Sequence, residues 1–365
     1  GMVKYHKDLD SIGISAVHRI YSFDNRTALE ALANVRYYMI RKEFTQNLPY
    51  GFSKYKDYST KAHEYTIYKN DYPLSIGYTY DKYIDSEEYE KLSAIEKQQV
   101  MLEAAVLDTK NVKSLAKGDT RSVSDKIKYG TVTVKDTDGV IVKEDRIRSK
   151  KEESTLTLSY EKKKGYEAYL MIDGMTTKKA RIKAKISTDD MEKNIVIRNN
   201  DLTYALGRDS YLINLGYSDT SESEDVTFTI PIKAKINYSD VKVCYVPMDD
   251  YVSQIEERNE ESLQNVLTDK NNEVSGNVTL SSDKVMVFSI PYSSGWKAYV
   301  DGKETSVFRA NTMYMGINLT KGSHKVVLRY NSPGLHLGMM ASAAGIIIWI
   351  LLAVASKKKK QKGNQ

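Results

Sequence analysis

The sequence of 365 residues carries 54 Lys and Arg against 48 Asp and Glu, a formal net charge of +6. Five lysines lie within the last nine residues, and without them 49 basic and 48 acidic residues remain, a net charge of +1. A body of balanced charge argues against nucleic acid as a partner. The 41% hydrophobic content, with 20 glycines and six prolines, excludes collagen-like and disordered chains. The single cysteine, Cys244, excludes an internal disulfide and is expected to be a small buried hydrophobe.

Residues 1–115 are predicted to form a mixed α/β region. The segment from Thr27 to Glu30 has the pattern of a capping box, which predicts a short helix. Residues 35–40 and 65–68 are rich in β-branched and aromatic side chains and predict two strands. A second capping box, from Ser93 to Glu96, predicts a helix that continues through about Leu107.

From about residue 116 onward, apolar residues alternate with a period of two, as in half-buried strands. Short strands without intervening helices are typical of antiparallel sheets packed as a sandwich. We therefore expect a mainly β fold with two antiparallel β-sandwich-like modules, at 116–246 and 271–333. A helical connector at 247–270 is predicted to join them.

An internal repeat relates the two predicted modules. The first copy consists of residues 156–160, followed by residues 165–169 and by Asp173-Gly174. The second copy consists of residues 285–289, followed by residues 295–299 and by Asp301-Gly302. Later in each module, 211–215 resembles 314–319. Two smaller features are also predicted: a type I′ turn at Asp301-Gly302, and a hairpin that joins 314–319 to 325–330.

Residues 334–356 are predicted to form one transmembrane helix. Its 335–355 segment contains no Asp, Glu, Lys or Arg, and at 1.5 Å per residue it matches a hydrocarbon core of about 30 Å. The lysines of the 357–365 tail predict a cytoplasmic flank by the positive-inside rule, which places residues 1–333 outside the cytoplasm. Residues 2–30 lack the apolar stretch of a signal peptide. We therefore expect further spans upstream, and the alternative is a tail-anchored protein with the reverse orientation.

Chemical motifs are mostly absent from the sequence. It contains neither a nucleotide-binding glycine loop nor a G-x-S-x-G elbow, and no H-x-x-x-H pair, so we expect no cofactor, no metal and no catalytic residue in this chain. Carboxylates cluster at 189–192 and 222–225, without the spacing of a calcium loop, and both clusters are predicted to be solvated loops. A facing pair of carboxylates of the glycosidase type is neither indicated nor excluded.

The segment IPYSSGWKAYVDGKE at 290–304 is the strongest local signal. Its bulky side chains Tyr292, Trp296 and Tyr299 fit a packing role, and the alternative is a carbohydrate-binding site in which they stack against sugars.

This segment resembles the C-terminal end of the bacterial YfhO-type membrane proteins. The same resemblance includes Gly316, residues 321–326, residues 330–334 before the membrane span, and the span itself. Residues 32–38 and 68–74 are similar to the part of that family that follows its main membrane domain. The resemblance implies a large polytopic protein, similar to GT-C-type glycosyltransferases, which adds sugars to cell-envelope polymers such as lipoteichoic acid from undecaprenyl-phosphate sugars. The family's acidic catalytic residue lies in its N-terminal membrane half, and no position of this chain matches that motif.

Three functions remain open at this point. The chain is predicted to be the non-catalytic, extracytoplasmic C-terminal part of such a protein, with the bilayer, the upstream membrane domain and an envelope glycopolymer as partners. The alternatives are a carbohydrate- or cell-wall-binding module, and a structural domain that contacts protein through an apolar patch.

Overall fold

The structure is a computed structural model and describes residues 1–16, 19–44, 46–201, 207–268 and 272–362. The described chain is mainly β, with its strands in antiparallel sheets apart from one small parallel sheet, and it ends in one apolar helix. The predicted fold class is therefore confirmed.

The described residues among the first 124 combine short helices with short strands, as expected of a mixed α/β region. In the described part of this stretch, five short helices and nine short strands follow one another, with one 3₁₀ turn at Thr109–Asn111. The helices are α1 (Met2–Asp8), α2 (Thr27–Leu32), α3 (Ser86–Glu90), α4 (Ala94–Glu103) and α5 (Thr120–Ser124). The strands are β1 (Ile14–Ala16), β2 (Arg19–Ile20), β3 (Tyr37–Arg41), β4 (Phe52–Ser59), β5 (Glu64–Asn70), β6 (Gly77–Tyr80), β7 (Lys82–Asp85), β8 (Ala105–Leu107) and β9 (Ala116–Lys117).

Thirteen strands in three sheets make up the described residues of the first β module. An outer sheet has the order β11-β14-β20-β17-β18, an inner sheet β10-β22-β15-β19, and a small third sheet β12-β13-β21-β16. The strands are β10 (Lys128–Thr131), β11 (Thr133–Asp138), β12 (Val140–Lys143), β13 (Arg146–Ser149), β14 (Ser154–Glu161), β15 (Tyr166–Asp173), β16 (Thr176–Thr177), β17 (Arg181–Ser187), β18 (Glu192–Arg198), β19 (Tyr211–Ser218), β20 (Ser223–Ile230), β21 (Ala234–Asn237) and β22 (Asp240–Pro247).

The second module borrows a strand from the N-terminal region. Its outer sheet has the order β23-β24-β30-β26-β27, and its inner sheet is β28-β29-β25-β6, in which β6 pairs with β25. A helix, α6 (Tyr251–Glu260), precedes this module. The strands are β23 (Gln264–Leu267), β24 (Glu273–Leu280), β25 (Lys284–Pro291), β26 (Trp296–Val300), β27 (Lys303–Thr305), β28 (Phe308–Ala310), β29 (Tyr314–Leu319) and β30 (Gly322–Tyr330).

The two modules share one strand order. The outer sheets correspond strand by strand, with β14 matching β24, β20 matching β30 and β17 matching β26. In the inner sheets, β22-β15-β19 matches β6-β25-β29, so β6 takes the place that β22 has in the first module. The described pairings in both modules are antiparallel.

The strand order corrects the repeat that the sequence suggested. Residues 211–215 and 314–319 do occupy equivalent strands, β19 and β29. The two earlier matches are displaced by one strand, because β15 corresponds to β25 and not to β26. The reason lies in burial: β14 alternates between buried and partly exposed residues, whereas β15 and β25 each contain four consecutive buried residues.

The predicted hairpin between 314–319 and 325–330 is also wrong. The two segments are consecutive strands, but β29 lies in the inner sheet and β30 in the outer sheet, so the chain crosses the sandwich at residues 320–321. The Asp301-Gly302 turn is confirmed. Both residues have positive φ, at 51° and 81°, and Val300 pairs with Lys303, as in a type I′ hairpin.

The two predicted capping boxes differ in outcome. Ser93 and Glu96 form the reciprocal pair at the start of α4, but that helix ends at Glu103, since 105–107 pairs in parallel with β7 as strand β8. Thr27 does not cap α2. It lies inside the helix, whose N-cap is Arg26, and its hydroxyl group bonds to Glu167 of the first module instead.

Three hydrophobic cores follow from this arrangement. One fills the first sandwich, a second fills the second sandwich, and the third lies between the N-terminal region and the inner sheets of both modules. Neighbouring residues of one strand face different cores: Tyr169 lies in the shared core and Leu170 in the first sandwich. The inner sheets are therefore covered on both faces, which explains their unbroken apolar runs. Cys244 is fully buried in the shared core, as predicted, and burial raises its pKa to about 12.

The last helix, α7 (Leu335–Lys362), follows β30 directly. Its segment Leu335–Ser356 has a mean hydropathy of 2.3 and is not buried against the rest of the protein. An apolar helix of 22 residues without cover has the length and composition to cross a membrane.

The borrowed strand β6 gives a direct test of this architecture. A Cβ atom at Gly77 would lie 3.1 Å from both Leu263 and Phe288, and the Thr79 hydroxyl group is buried without a described partner. Gly77→Val should therefore lower the free energy of unfolding of the full chain by about 1–3 kcal/mol through overpacking. Thr79→Val, on the same strand, should leave it unchanged or raise it.

Chemical denaturation of the full chain in lipid nanodiscs measures both variants. Equal stability of Gly77→Val and the unaltered chain would contradict the role of β6 as an inner strand of the second module.

Candidate functional site

The three aromatic residues predicted to stack against sugars do not form one surface. Trp296 and Ala298 project toward the core of the second sandwich, whereas Tyr299 projects to the other side of β26. Trp296 packs against Tyr330 with ring centroids 5.1 Å apart. Arg329 lies 5.3 Å above Tyr299, and Arg309 lies 5.2 Å above Tyr292. Each ring therefore has its own packing partner, and their carbohydrate-binding role stays a prediction.

A tyrosine-lined groove lies elsewhere, where the N-terminal region meets one end of the first sandwich. Its volume is about 580 Å³. The aromatic side chains that line it come from the 44–52 segment and from strands β14, β15 and β19: Phe44, Tyr50, Phe52, Tyr160, Tyr166 and Tyr217. The charged residues that line it are Lys162, Lys163, Asp190 and Glu224.

A β-bulge aims Tyr217 into this groove. Ala168 pairs with Gly216 and Tyr169 with Asn214, so Leu215 is an extra residue on β19. Gly216 has φ of 103°, a conformation that side chains other than glycine rarely adopt. Beyond the bulge, Tyr217 is 39% exposed and its ring lies 4.6 Å from that of Tyr50.

The polar end of the groove is built from three side chains. Tyr160 and Glu224 are cross-strand partners, and the Tyr160 hydroxyl group donates to Glu224 Oε2 at 2.6 Å. Lys162 Nζ lies 3.2 Å from Glu224 Oε1. Burial and the neighbouring carboxylate raise the pKa of Tyr160, which keeps its hydroxyl group a donor. An ion-paired carboxylate beside exposed rings is suited to binding hydroxyl groups.

Sequence reasoning missed Glu224 because it placed residues 222–225 in a loop. Glu224 lies in β20, where it shares the core-facing side with Val226 and Phe228 and is 7% exposed. The alternation from Glu224 to Phe228 is visible in the sequence and carries this signal. Of the other cluster, Asp190 lines the groove and is exposed. Among the described residues, no group of three or more His, Cys, Asp or Glu could hold a metal ion.

The segment that forms one wall of the groove is fixed by buried hydrogen bonds. The Thr27 hydroxyl group accepts from the Tyr50 backbone at 2.8 Å and donates to Glu167 Oε1 at 2.8 Å. Asn25 Nδ2 donates to the Asn47 carbonyl at 2.7 Å. Asn214 Nδ2 donates to Glu167 Oε1 at 3.0 Å. The Glu167 carboxylate therefore accepts hydrogen bonds from Thr27, which holds the groove wall, and from Asn214, which lies beside the bulge.

Buried charges surround this acceptor, and together they form what we call the charge cluster: Asp24, Arg26, Glu30, Glu167 and Lys193. Arg26 is fully buried and donates to the carbonyl groups of Leu9 and Leu212, at 2.7 and 2.5 Å. Lys193 Nζ lies 3.1 Å from Asp24 Oδ1, and burial lowers the pKa of Lys193. Burial raises the pKa of Glu167. Because each charge has polar partners, the cluster joins the N-terminal region to both sheets of the first sandwich.

Glu30 gives the charge cluster a pH dependence. Burial raises the pKa of Glu30 to about 7, against the hydrogen bond that Tyr38 donates to it. The folded chain therefore binds a proton here between pH 4.5 and 7, which the unfolded chain does not. The contribution of Glu30 to the free energy of unfolding is expected to fall as the pH rises through this window.

Glu30→Gln should remove that contribution. Thermal unfolding from pH 4.5 to 8.5 is expected to show a flatter profile for the variant, and a higher stability than the unaltered chain above pH 7, by about 1–3 kcal/mol. Glu43→Gln, at an exposed position, is the control and should keep the original slope. A Glu30→Gln profile that parallels that of the unaltered chain would contradict the assignment.

Comparison with known proteins gives the family. The family model described as "Bacterial membrane protein YfhO" matches residues 3–342. A curated relative, the uncharacterized protein YfhO of Bacillus subtilis (strain 168), is 23% identical over 381 residues, which cover 99% of this chain and 40% of the relative. The chain thus spans about two fifths of the length of that relative.

Solved structures show weaker similarity. A family GH115 4-O-methyl-α-glucuronidase has a TM-score of 0.25 at 14% identity, over 33% of this chain and 18% of that chain. The arabinofuranosyltransferase AftD from Mycobacteria (mutant R1389S, class 2) has a TM-score of 0.22 at 16% identity, over 50% of this chain and 14% of that chain. TM-scores this low do not establish a shared fold. The family match rests on sequence along nearly the whole chain, and on that ground this chain belongs to the YfhO family of bacterial membrane proteins.

Proposed function

We propose that this chain is the non-catalytic, extracytoplasmic C-terminal part of a polytopic, GT-C-like membrane glycosyltransferase. In this proposal the groove lined by Tyr50, Tyr166 and Tyr217 holds the sugar-bearing segment of an envelope polymer such as lipoteichoic acid. The groove is the observation that carries the proposal. Tyr217 is exposed, Tyr50 and Tyr166 are half-buried, and aromatic rings of this kind stack against the C–H faces of a sugar. Lys162, Asp190 and Glu224 offer partners for its hydroxyl groups.

The pairing of Glu224 supports binding over hydrolysis. A glycoside hydrolase needs one protonated and one ionised carboxyl group on either side of the bond that breaks. Both oxygens of Glu224 are engaged within the protein, one by Lys162 at 3.2 Å and one by the Tyr160 hydroxyl group, so neither is free to act on such a bond. The groove is then a holding site, and the chemistry belongs to the membrane domain implied by the family.

The topology of the proposal follows from α7 and its flank. Five lysines follow Leu335–Ser356 and favour a cytoplasmic tail at 357–365. Residues 1–333 are then extracytoplasmic, on the side where lipid-linked sugars of this class are used. The division into 1–115, 116–246, 247–270 and 271–333 is retained as a proposal. The connector contains α6 and also β23, and β6 joins the second sandwich.

A structural, protein-contacting role is the second candidate, and one observation favours it. The three-stranded sheet β3-β5-β4 carries large side chains that are about half exposed: Tyr37, Met39, Tyr55 and Tyr58. An exposed apolar surface of this kind is typical of protein contacts. In this second proposal, the sheet contacts the membrane domain and the groove has no ligand of its own.

Sugar binding separates the two candidates. With the full chain in phosphatidylcholine nanodiscs and sugar-substituted lipoteichoic acid as the probe, Tyr217→Ala should weaken binding about fivefold to tenfold, because it removes the stacking ring. Tyr217→Phe keeps the ring and should bind within about twofold of the unaltered chain. Tyr55→Ala, at another exposed tyrosine, on β4, is the matched control and should not change binding.

Trp296→Ala extends the test to the aromatic residues that the sequence suggested. A loss of binding in Trp296→Ala with an unchanged unfolding curve, and none in Tyr217→Ala, would move the site to the second module. Absence of binding by the unaltered chain would leave the protein-contacting role as the better account.

A further inference from the structure

A basic concavity lies on the first module, away from the tyrosine groove. Its volume is about 840 Å³. Of the described residues, twelve line it, and eight of these are Lys or Arg: Lys143, Arg146, Arg148, Lys150, Lys178, Lys179, Lys233 and Lys235. None of the twelve is acidic. Although the net charge of residues 1–356 is near zero, positive charge is therefore concentrated in this concavity.

Like charges face each other directly in the sheet that forms this concavity. Arg148 on β13 is the cross-strand partner of Lys235 on β21, and Lys143 is the partner of Arg146. Directly opposed like charges destabilise a sheet. Such pairs are tolerable in the free protein because water screens them, and an anion placed between them turns the repulsion into attraction.

Few carboxylates neutralise this surface. Arg146 pairs with Asp145 at 2.9 Å, and Lys178 pairs with Asp201 at 3.5 Å. Within the described ranges, the other six basic side chains of the concavity form no ion pair. Those six are Lys143, Arg148, Lys150, Lys179, Lys233 and Lys235, and all of them are exposed.

The floor beneath these charges is held in place by hydrogen bonds. The Ser149 hydroxyl group donates to the Ile232 carbonyl at 2.7 Å and accepts from the Ala234 backbone at 2.8 Å. Thr177 donates to the Lys235 carbonyl at 3.0 Å. Ile147 and Ile236 pack beneath the sheet in the core of the first sandwich. The basic side chains are thus presented by a fixed backbone, which lowers the entropy lost on binding.

We infer that this concavity binds the anionic backbone of a chain polymer, one whose charges are phosphodiesters. A flexible chain can enter a concavity and place successive charges near six unpaired cations, whereas a flat membrane surface cannot follow an inward curve. The strand that leads to the membrane helix, β30, also belongs to the other module. The inference rests on the proposed function only for the identity of the polymer, and it does not require sugar binding in the tyrosine groove.

A sugar-free probe separates this site from the groove. With the full chain in phosphatidylcholine nanodiscs, unsubstituted and deacylated poly(glycerol phosphate) should bind at low salt, and its affinity should fall steeply as salt is raised. Arg148→Gln combined with Lys235→Gln should weaken binding roughly tenfold. Arg181→Gln combined with Lys183→Gln, an equal charge change at exposed positions of β17, should have little effect. Tyr217→Ala should bind this probe like the unaltered chain.

Lys235→Glu distinguishes a loss of polymer binding from a loss of folding. This change places a carboxylate opposite Arg148, so the melting temperature should stay the same or rise while the affinity for the polymer falls. The inference is overturned if the unaltered chain does not bind the polymer, if the double Arg148 and Lys235 variant binds as before, or if phosphatidylglycerol vesicles compete equally well per phosphate. The last outcome would assign the surface to the membrane.

Discussion

The buried charge cluster is the constraint on which the rest of the structure depends. Arg26 is fully enclosed and reaches two carbonyl groups, one of its own region and one of β19. Lys193 reaches Asp24 from the outer sheet. Removing Lys193 or Arg26 would leave the Asp24 carboxylate desolvated with one fewer partner, which is strongly destabilising. The N-terminal region therefore has one position against the first sandwich, and the wall of the tyrosine groove has one conformation.

A second consequence of this packing is that the β modules are not separable from the N-terminal region. The inner sheets are covered on both faces, and the shared core contains residues from all three parts of the chain. The last strand of the first module, β22, lies in its inner sheet. The last strand of the second module, β30, lies in the outer sheet and is followed by α7. The position that β22 occupies is filled in the second module by β6. One duplicated plan is thus completed in two ways.

Much of the fold is predictable from the sequence, and the exceptions have physical causes. Alternating strands such as β14 and β20 bury one face, so their pattern is readable, and the 22-residue apolar helix is readable for a similar reason. Strands buried on both faces, such as β15 and β25, lack the alternation of apolar and polar residues. Because β25 was matched to the alternating strand β14, the predicted repeat is displaced by one strand. Thr27 shows a further limit: its local sequence favours a cap, but Glu167, 140 residues away, takes the hydroxyl group.

The candidate site shows the same limit. Tyr217 and Tyr50 are 167 positions apart, and only a bulge at Gly216 and the hydrogen bonds of Thr27 bring their rings together. The 290–304 segment was conspicuous because its aromatic residues are close in sequence, yet β26 sends Trp296 and Tyr299 to opposite sides. Charge behaves similarly: a nearly neutral body carries a concavity with eight basic residues that come from three separate stretches of chain.

The most direct test of the account is hydrogen–deuterium exchange on the full chain in nanodiscs, with and without sugar-substituted lipoteichoic acid. Exchange reports the local opening of backbone amides. Added protection is expected at 46–52 and 214–218, the two walls of the tyrosine groove. The Arg148→Gln and Lys235→Gln double variant should retain that protection at saturating polymer. Protection that is absent from both segments, or that appears only around 290–304, would contradict this expectation.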